Sequence, residues 1–166
     1  MRIVLIILTF SFLSTGIHAQ KVENKAFSKR LKSLLSHTVK EISVKDAAKI
    51  QKKAVFLDTR KREEYNISHI KNARWVGYDN FSAKRMKGIS KHSTIILYCS
   101  VGYRSEKITE KLKKMGYRNI SNLYGGIFEW VNQGHKVYDN KTNNTLKVHT
   151  YNKRWSKWLK RGVKIY

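Results

Sequence analysis

The sequence is poorest in the residues that tie or turn a chain covalently: it has no proline, a single cysteine at Cys99, and only 11 acidic residues against 35 lysines and arginines. One thiol excludes an internal disulfide, so Cys99 is either buried and inert, paired between chains, or held as a reactive group. The apolar run from Ile3 to Leu13 covers about half of the ~20 residues that a bilayer-crossing helix requires. Six scattered histidines and one cysteine show no metal-ligand spacing, and no glycine-rich loop runs into Lys-Ser or Lys-Thr. These absences exclude a structural metal site and P-loop chemistry, and no cofactor is called for.

What is present fits one domain with tails, because 166 residues at 41% apolar content bury one workable core. The first residues place Arg2 near the amino terminus, then the apolar run, then the small residue Ala19 before a polar stretch. That order predicts a secretory signal peptide over residues 1–19 and an exported, periplasmic or secreted protein, with a retained anchor as the alternative. The net charge of +24 implies a long-range positive potential that draws small anions and allows weak association with anionic surfaces. Specific nucleic-acid binding is not expected, since no motif for it is present and export removes the chain from cytoplasmic nucleic acid.

Residues 20–37 form a basic lead-in in which Phe27, Leu31 and Leu34 recur at helical spacing. Short strands are expected at Val39–Ile42, Ala54–Asp58, Ala73–Val76, Thr94–Tyr98 and Ile120–Leu123. The helical stretches between them are a Ser43-capped helix to about Gln51, Glu63–Ile67, a turn at Phe81–Met86, and Ser105–Met115 closed by Gly116. A last short helix follows Gly125-Gly126 and ends near Gly134. Alternating strands and helices predict an α/β domain over residues 38–135: an open, mostly parallel sheet of about five strands with helices on both faces. Residues 136–166 form a basic, aromatic extension with a strand near LKVHTY and a helix that lays Trp155, Trp158 and Leu159 back on the domain. Contact of that helix with a membrane or partner is the alternative.

The chemistry concentrates at YCSVGYRSEK. Cys99 follows the most strongly strand-like run and precedes a helix, the crevice where open α/β sheets bind ligands. Backbone N–H groups of such a loop converge on an anion, and the helix terminus adds positive potential. Gly102 permits the left-handed backbone that turns those amides inward. Arg104 is expected to draw and orient an anionic donor, while Ser100, Val101 and Tyr103 line the pocket mouth. Asp58 orients Arg60 and acts structurally; His69 makes a buried hydrogen bond; Trp130 belongs to the core.

Leu57-Asp58-Thr59-Arg60, Glu64-Tyr65, His69-Ile70 and Asn72-Ala73, together with Cys99 through Arg104 and Gly125-Gly126 with Trp130 and Gly134, resemble the signatures of a single rhodanese domain. The resemblance runs from about Thr38 to Gly134. It implies a sulfurtransferase that carries sulfane sulfur as a Cys99 persulfide from a small anionic donor to a thiol or cyanide acceptor. Ser100 stands where the family often has arginine, and Ser68 where it usually has glycine. The loop from Cys99 to Arg104 is one residue shorter than the cradle of the related phosphatases, which favours a single sulfur atom over a phosphoryl group. A non-catalytic sulfur carrier or docking module is the alternative reading, and the sequence leaves the oligomeric state open.

Overall fold

The computed structural model describes residues 22–166, so the signal-peptide expectation and the first two residues of the lead-in lie outside the described residues. Five strands form one parallel sheet: β1 (Glu41–Ile42), β2 (Val55–Asp58), β3 (Arg74–Trp75), β4 (Ile95–Tyr98) and β5 (Ile120–Leu123), in the order β1-β5-β4-β2-β3. Every pairing within it is parallel. The continuous apolar runs of β2 and β4 are what a sheet covered on both faces requires. Alternate residues serve different layers. Phe56, Ile96 and Tyr98 face one core, and Leu57, Ile95 and Leu97 the other.

The first layer contains α1 (Lys25–Leu34), α2 (Val44–Lys49) and α5 (Gly126–Asn132). The second contains α4 (Tyr103–Lys114) and a 3₁₀ turn at Ala83–Met86. The expected lead-in helix forms α1, with Phe27 and Leu31 fully buried. At the start of α2 the Ser43 hydroxyl accepts the Asp46 N–H at 3.1 Å and donates to the Asp46 carboxylate at 2.7 Å, so the cap foreseen at Ser43 closes through the two side chains. Helix α3 (Arg62–Ile67) connects β2 to β3. Helix α4 starts two residues before its expected position. Gly102, at φ +117, turns the chain there, and its carbonyl accepts the Glu106 N–H at 3.0 Å.

The extension returns onto the domain. A ladder of β6 (Val137–Tyr138) with β7 (Asn144–Thr145) is followed by β8 (Lys147–His149), which pairs in parallel with β9 (Val163–Ile165). Between them α6 (Lys153–Ser156) is shorter than its aromatic spacing implied. The N–H groups of Lys160 and Arg161 are taken by the Asn132 side chain at 2.7 and 3.3 Å, which diverts the chain from a helical path. Trp158 stacks on Phe27 with ring centroids 5.2 Å apart, and Leu159 is buried. The two ends of the described chain are therefore clasped together over one face of the sheet. Among the described residues no helix is long and apolar enough to cross a membrane.

Candidate functional site

Strand β4 delivers Cys99 to the carboxyl edge of the sheet, where the side chain is 1% exposed and forms part of a cavity wall. Its Sγ accepts the Gly102 N–H at 3.1 Å. The loop is held from behind by α5. The N–H of Ile127 donates to the Cys99 carbonyl at 2.9 Å and that of Phe128 to the Ser100 carbonyl at 3.1 Å. In a planar trans peptide the carbonyl and the following N–H point in opposite directions, and the described chain has no cis bond. Fixing those two carbonyls against α5 therefore turns the N–H groups of Ser100 and Val101 away from it, toward the cavity side of the loop.

The far end of the loop is fixed the same way. The Gly102 carbonyl accepts the Asn122 amide at 3.0 Å and the Ser105 hydroxyl at 3.1 Å, and Ser105 and Asn122 approach each other at 2.7 Å. The first N–H groups of α4 have no intrahelical acceptor, so the helix adds positive potential beside the thiol. Gly126 is indispensable to this packing. A Cβ there would sit 2.4 Å from the Cys99 carbonyl oxygen and 2.7 Å from the Ser100 carbonyl, on a backbone at φ +58.

Arg104, expected to draw and orient an anionic donor, lines the cavity beside Cys99 and is at the same time tied to its neighbours. Its guanidinium makes a two-pronged pair with Glu64 at 2.7 and 2.8 Å and a further bond to the Ser100 hydroxyl at 3.0 Å. The physical reason is the buried carboxylate. Glu64 also accepts the Lys61 N–H at 2.9 Å, and a desolvated carboxylate must be matched by donors. Burial pushes the Glu64 pKa up, but the Arg104 hydrogen bonds and charge, aided by Arg60 and Lys61, outweigh it and hold the carboxyl at about 2. Burial likewise opposes the charge on Arg104, while Glu64 and the nearby Cys99 raise its pKa. Arg104 thus braces the loop.

Ser100, Val101, Tyr103 and Arg104 line the cavity, and Gly102 supplies the N–H on sulfur. Asp58 and Arg60 lie outside the lining, in a fully buried pair with a shortest contact of 2.7 Å. Burial lowers the Arg60 pKa, and the Asp58 charge and hydrogen bonds more than restore it. Their place is structural, at the junction of β2 and α3. His69 Nδ1 lies 3.1 Å from the Tyr65 carbonyl, and burial lowers its pKa. Trp130 is buried in the core, its indole donating to the Lys136 carbonyl at 3.1 Å.

The cavity of about 350 Å³ has walls that sequence reasoning missed: Leu34 from α1, Lys61, Tyr78 and Asp79 from the loops after β2 and β3, and Tyr151 and Trp155 from the extension. Glu64 had a signal, since it belongs to the Glu64-Tyr65 pair of the family signature and follows the basic run Arg60-Lys61-Arg62 in an acid-poor chain. The contributions of Leu34 and the extension had none, because they depend on how both ends fold back. No group of His, Cys, Asp and Glu that could hold a metal ion occurs among the described residues.

A family model for the Rhodanese-like domain matches residues 43–133. A tRNA uridine(34) hydroxylase from Hamiltonella defensa is 33% identical over 108 residues, which are 62% of this chain and 29% of that protein. The corresponding protein from Erwinia tasmaniensis is 35% identical over 82 residues, 46% of this chain and 23% of its own length. The chain therefore spans less than a third of these curated relatives. Among solved structures, a Bacillus halodurans protein superposes with a TM-score of 0.56 at 25% identity, covering 69% of this chain and 84% of that one. A thiosulfate sulfurtransferase from Pseudomonas aeruginosa shares the fold with a TM-score of 0.58 at 19% identity, over 71% of this chain and 23% of its own.

Proposed function

We propose that this chain, which belongs to the rhodanese-like domain family, is a sulfurtransferase that carries sulfane sulfur on Cys99. One observation supports the reading above others: the Gly102 N–H donates to Cys99 Sγ at 3.1 Å, in a loop whose neighbouring carbonyls are turned away by α5. Such a cradle stabilises negative charge on the sulfur and on the persulfide that replaces it.

The steps balance without an oxidant. The Cys99 thiolate attacks the outer sulfur of a donor such as thiosulfate, the new S–S bond forms as the donor S–S bond breaks, and the electron pair leaves with sulfite. The resulting Cys99–S–S⁻ anion is held by the loop amides. Cyanide, or an acceptor thiolate, then attacks the terminal sulfur and leaves as thiocyanate or a persulfide, restoring the thiolate. Arg104 keeps the loop in register through Glu64 and Ser100. The amino-terminal pattern supports placing this chemistry outside the cytoplasm.

The curated relatives act, by name, on a tRNA uridine, but the present chain spans less than a third of their length. Thiol chemistry is what the Cys99 loop of this chain supports. Intact mass measured after incubation with thiosulfate should show one added sulfur atom, removed by cyanide as thiocyanate. Cys99→Ala should show neither adduct nor turnover; an adduct that survives in that variant refutes the assignment. A wild-type protein that takes up no sulfur from thiosulfate or any polysulfide would instead be a docking module.

A further inference from the structure

The backbone of Tyr151 is held at φ +66, a left-handed conformation that a bulky side chain adopts at a cost. The strain is imposed by the corner between β8 and α6. The Tyr151 N–H is directed to His149 Nδ1 at 3.0 Å, the Asn152 N–H donates to the Thr150 carbonyl at 2.8 Å, and the Thr150 N–H donates to the Ile165 carbonyl at 2.8 Å. The consequence is that the ring stands over the Arg104 guanidinium, 5.3 Å from its centroid, and closes one wall of the Cys99 cavity. Trp155, in α6, extends that wall, and Leu34 adds to the lining from α1.

All three residues lie outside the matched domain, residues 43–133. They give the cavity a lining that a small dianion does not use. At about 30 Å³ for each water-sized group, 350 Å³ holds roughly twelve non-hydrogen atoms, and the five of thiosulfate fill less than half of it. The local charge points the same way. Arg104 is paired with Glu64, and the two other charged residues of the lining, Lys61 and Asp79, are of opposite sign, so the +24 of the whole chain is not focused on the thiol.

We infer that the extension makes Cys99 selective for sulfane sulfur carried on an apolar organic group, the body of the donor packing between Tyr151, Trp155 and Leu34. The inference rests on the sulfurtransferase reading and specifies its donor. With an organic hydropersulfide, R–S–SH, the Cys99 thiolate takes the outer sulfur, the donor S–S bond breaks, and R–S⁻ departs with the electron pair. With a thiosulfonate, R–SO₂–S⁻, the same attack releases a sulfinate.

Thiosulfonates provide the test, because methanethiosulfonate and benzenethiosulfonate share the reacting group and charge and differ only in the body. Single-turnover formation of the Cys99 persulfide, read by intact mass, should favour the benzene compound by at least tenfold in kcat/KM. Tyr151→Gly removes the ring and suits the left-handed backbone, so folding is preserved; it should reduce that preference to about threefold or less. Tyr151→Phe should retain it. Equal rates with both compounds, or a preference unmoved by Tyr151→Gly, would overturn the inference while leaving sulfur transfer intact. Absence of any persulfide from either compound and from thiosulfate would instead sink the underlying reading.

Discussion

Replacing Glu64 by glutamine keeps the shape of the side chain and removes the charge that answers Arg104. The Glu64 side chain is 1% exposed and that of Arg104 14%, so solvent screening gives little relief. Lowering the carboxyl from 4.5 to about 2 corresponds, at about 1.4 kcal/mol per pH unit, to roughly 3 kcal/mol of stability at neutral pH. Breaking a buried pair from one side costs about 3–5 kcal/mol, and the two routes agree. With a urea m-value of about 2 kcal/mol/M, the midpoint should fall by about 1.5 M at pH 7.

The pH dependence sharpens the test. A carboxyl whose folded pKa is depressed contributes stability that is fully present above about 4.5 and is lost as pH falls toward about 2. The other carboxylates titrate in both proteins, so the difference between wild type and Glu64→Gln isolates this group: it should shrink from about 3 kcal/mol at pH 6 toward zero near pH 2. Removing both charges in Glu64→Gln/Arg104→Met should recover part of the loss, because a neutral pair of similar volume carries no desolvation penalty. A loss under about 1 kcal/mol at pH 7, with a difference that does not change between pH 6 and 3, would refute the brace.

Gly126→Ala brings a methyl group against the carbonyls of Cys99 and Ser100, so persulfide formation measured by intact mass should fall by more than tenfold as the loop is displaced. Trp158→Ala removes the ring stacked on Phe27 and should cost about 3 kcal/mol in urea unfolding. It should also speed proteolysis at the lysines of α1; cleavage at the wild-type rate would show that the two ends are not clasped.

The parts of this fold legible in the sequence are those fixed by near neighbours. Ile120–Leu123 reads as a strand and is one; Ser43 and Asp46 announce a cap three residues apart and form it; Gly102 and Gly125 sit where φ is +117 and +83. The candidate site was legible to the extent that it is local, from Cys99 through Arg104. What was not legible depends on long closures. Glu64 meets Arg104 across forty residues of chain, and Glu64 carries no pattern that says which of 35 bases it will face. The aromatic tail shows that it wants burial but not where, since a stripe of tryptophans fits any apolar groove equally well. The helix length misread at α6 has the same origin, because the Asn132 side chain that takes the Lys160 N–H, just beyond the helix, lies 28 residues away from it.

Arg104 shows why a sum of charges is a poor guide to a site. Read along the chain, an arginine at a helix start beside a thiol, in a protein of charge +24, is a cation offered to an anionic donor. In the fold Arg104 stands in the cavity wall but its guanidinium is paired with Glu64 and bonded to the Ser100 hydroxyl, and the charge of more distant residues is screened by solvent over about 8 Å at physiological salt. The field can hasten encounter with any anion, but it cannot choose among them. Choice falls to what touches the donor, namely main-chain N–H groups that recognise a charged sulfur and aromatic walls that recognise what the sulfur is attached to. The first are built by the matched domain, from β4, α4 and the N-terminus of α5. The second are built by α1 and by the chain beyond that domain, so specificity in this protein can change without disturbing the loop that does the chemistry.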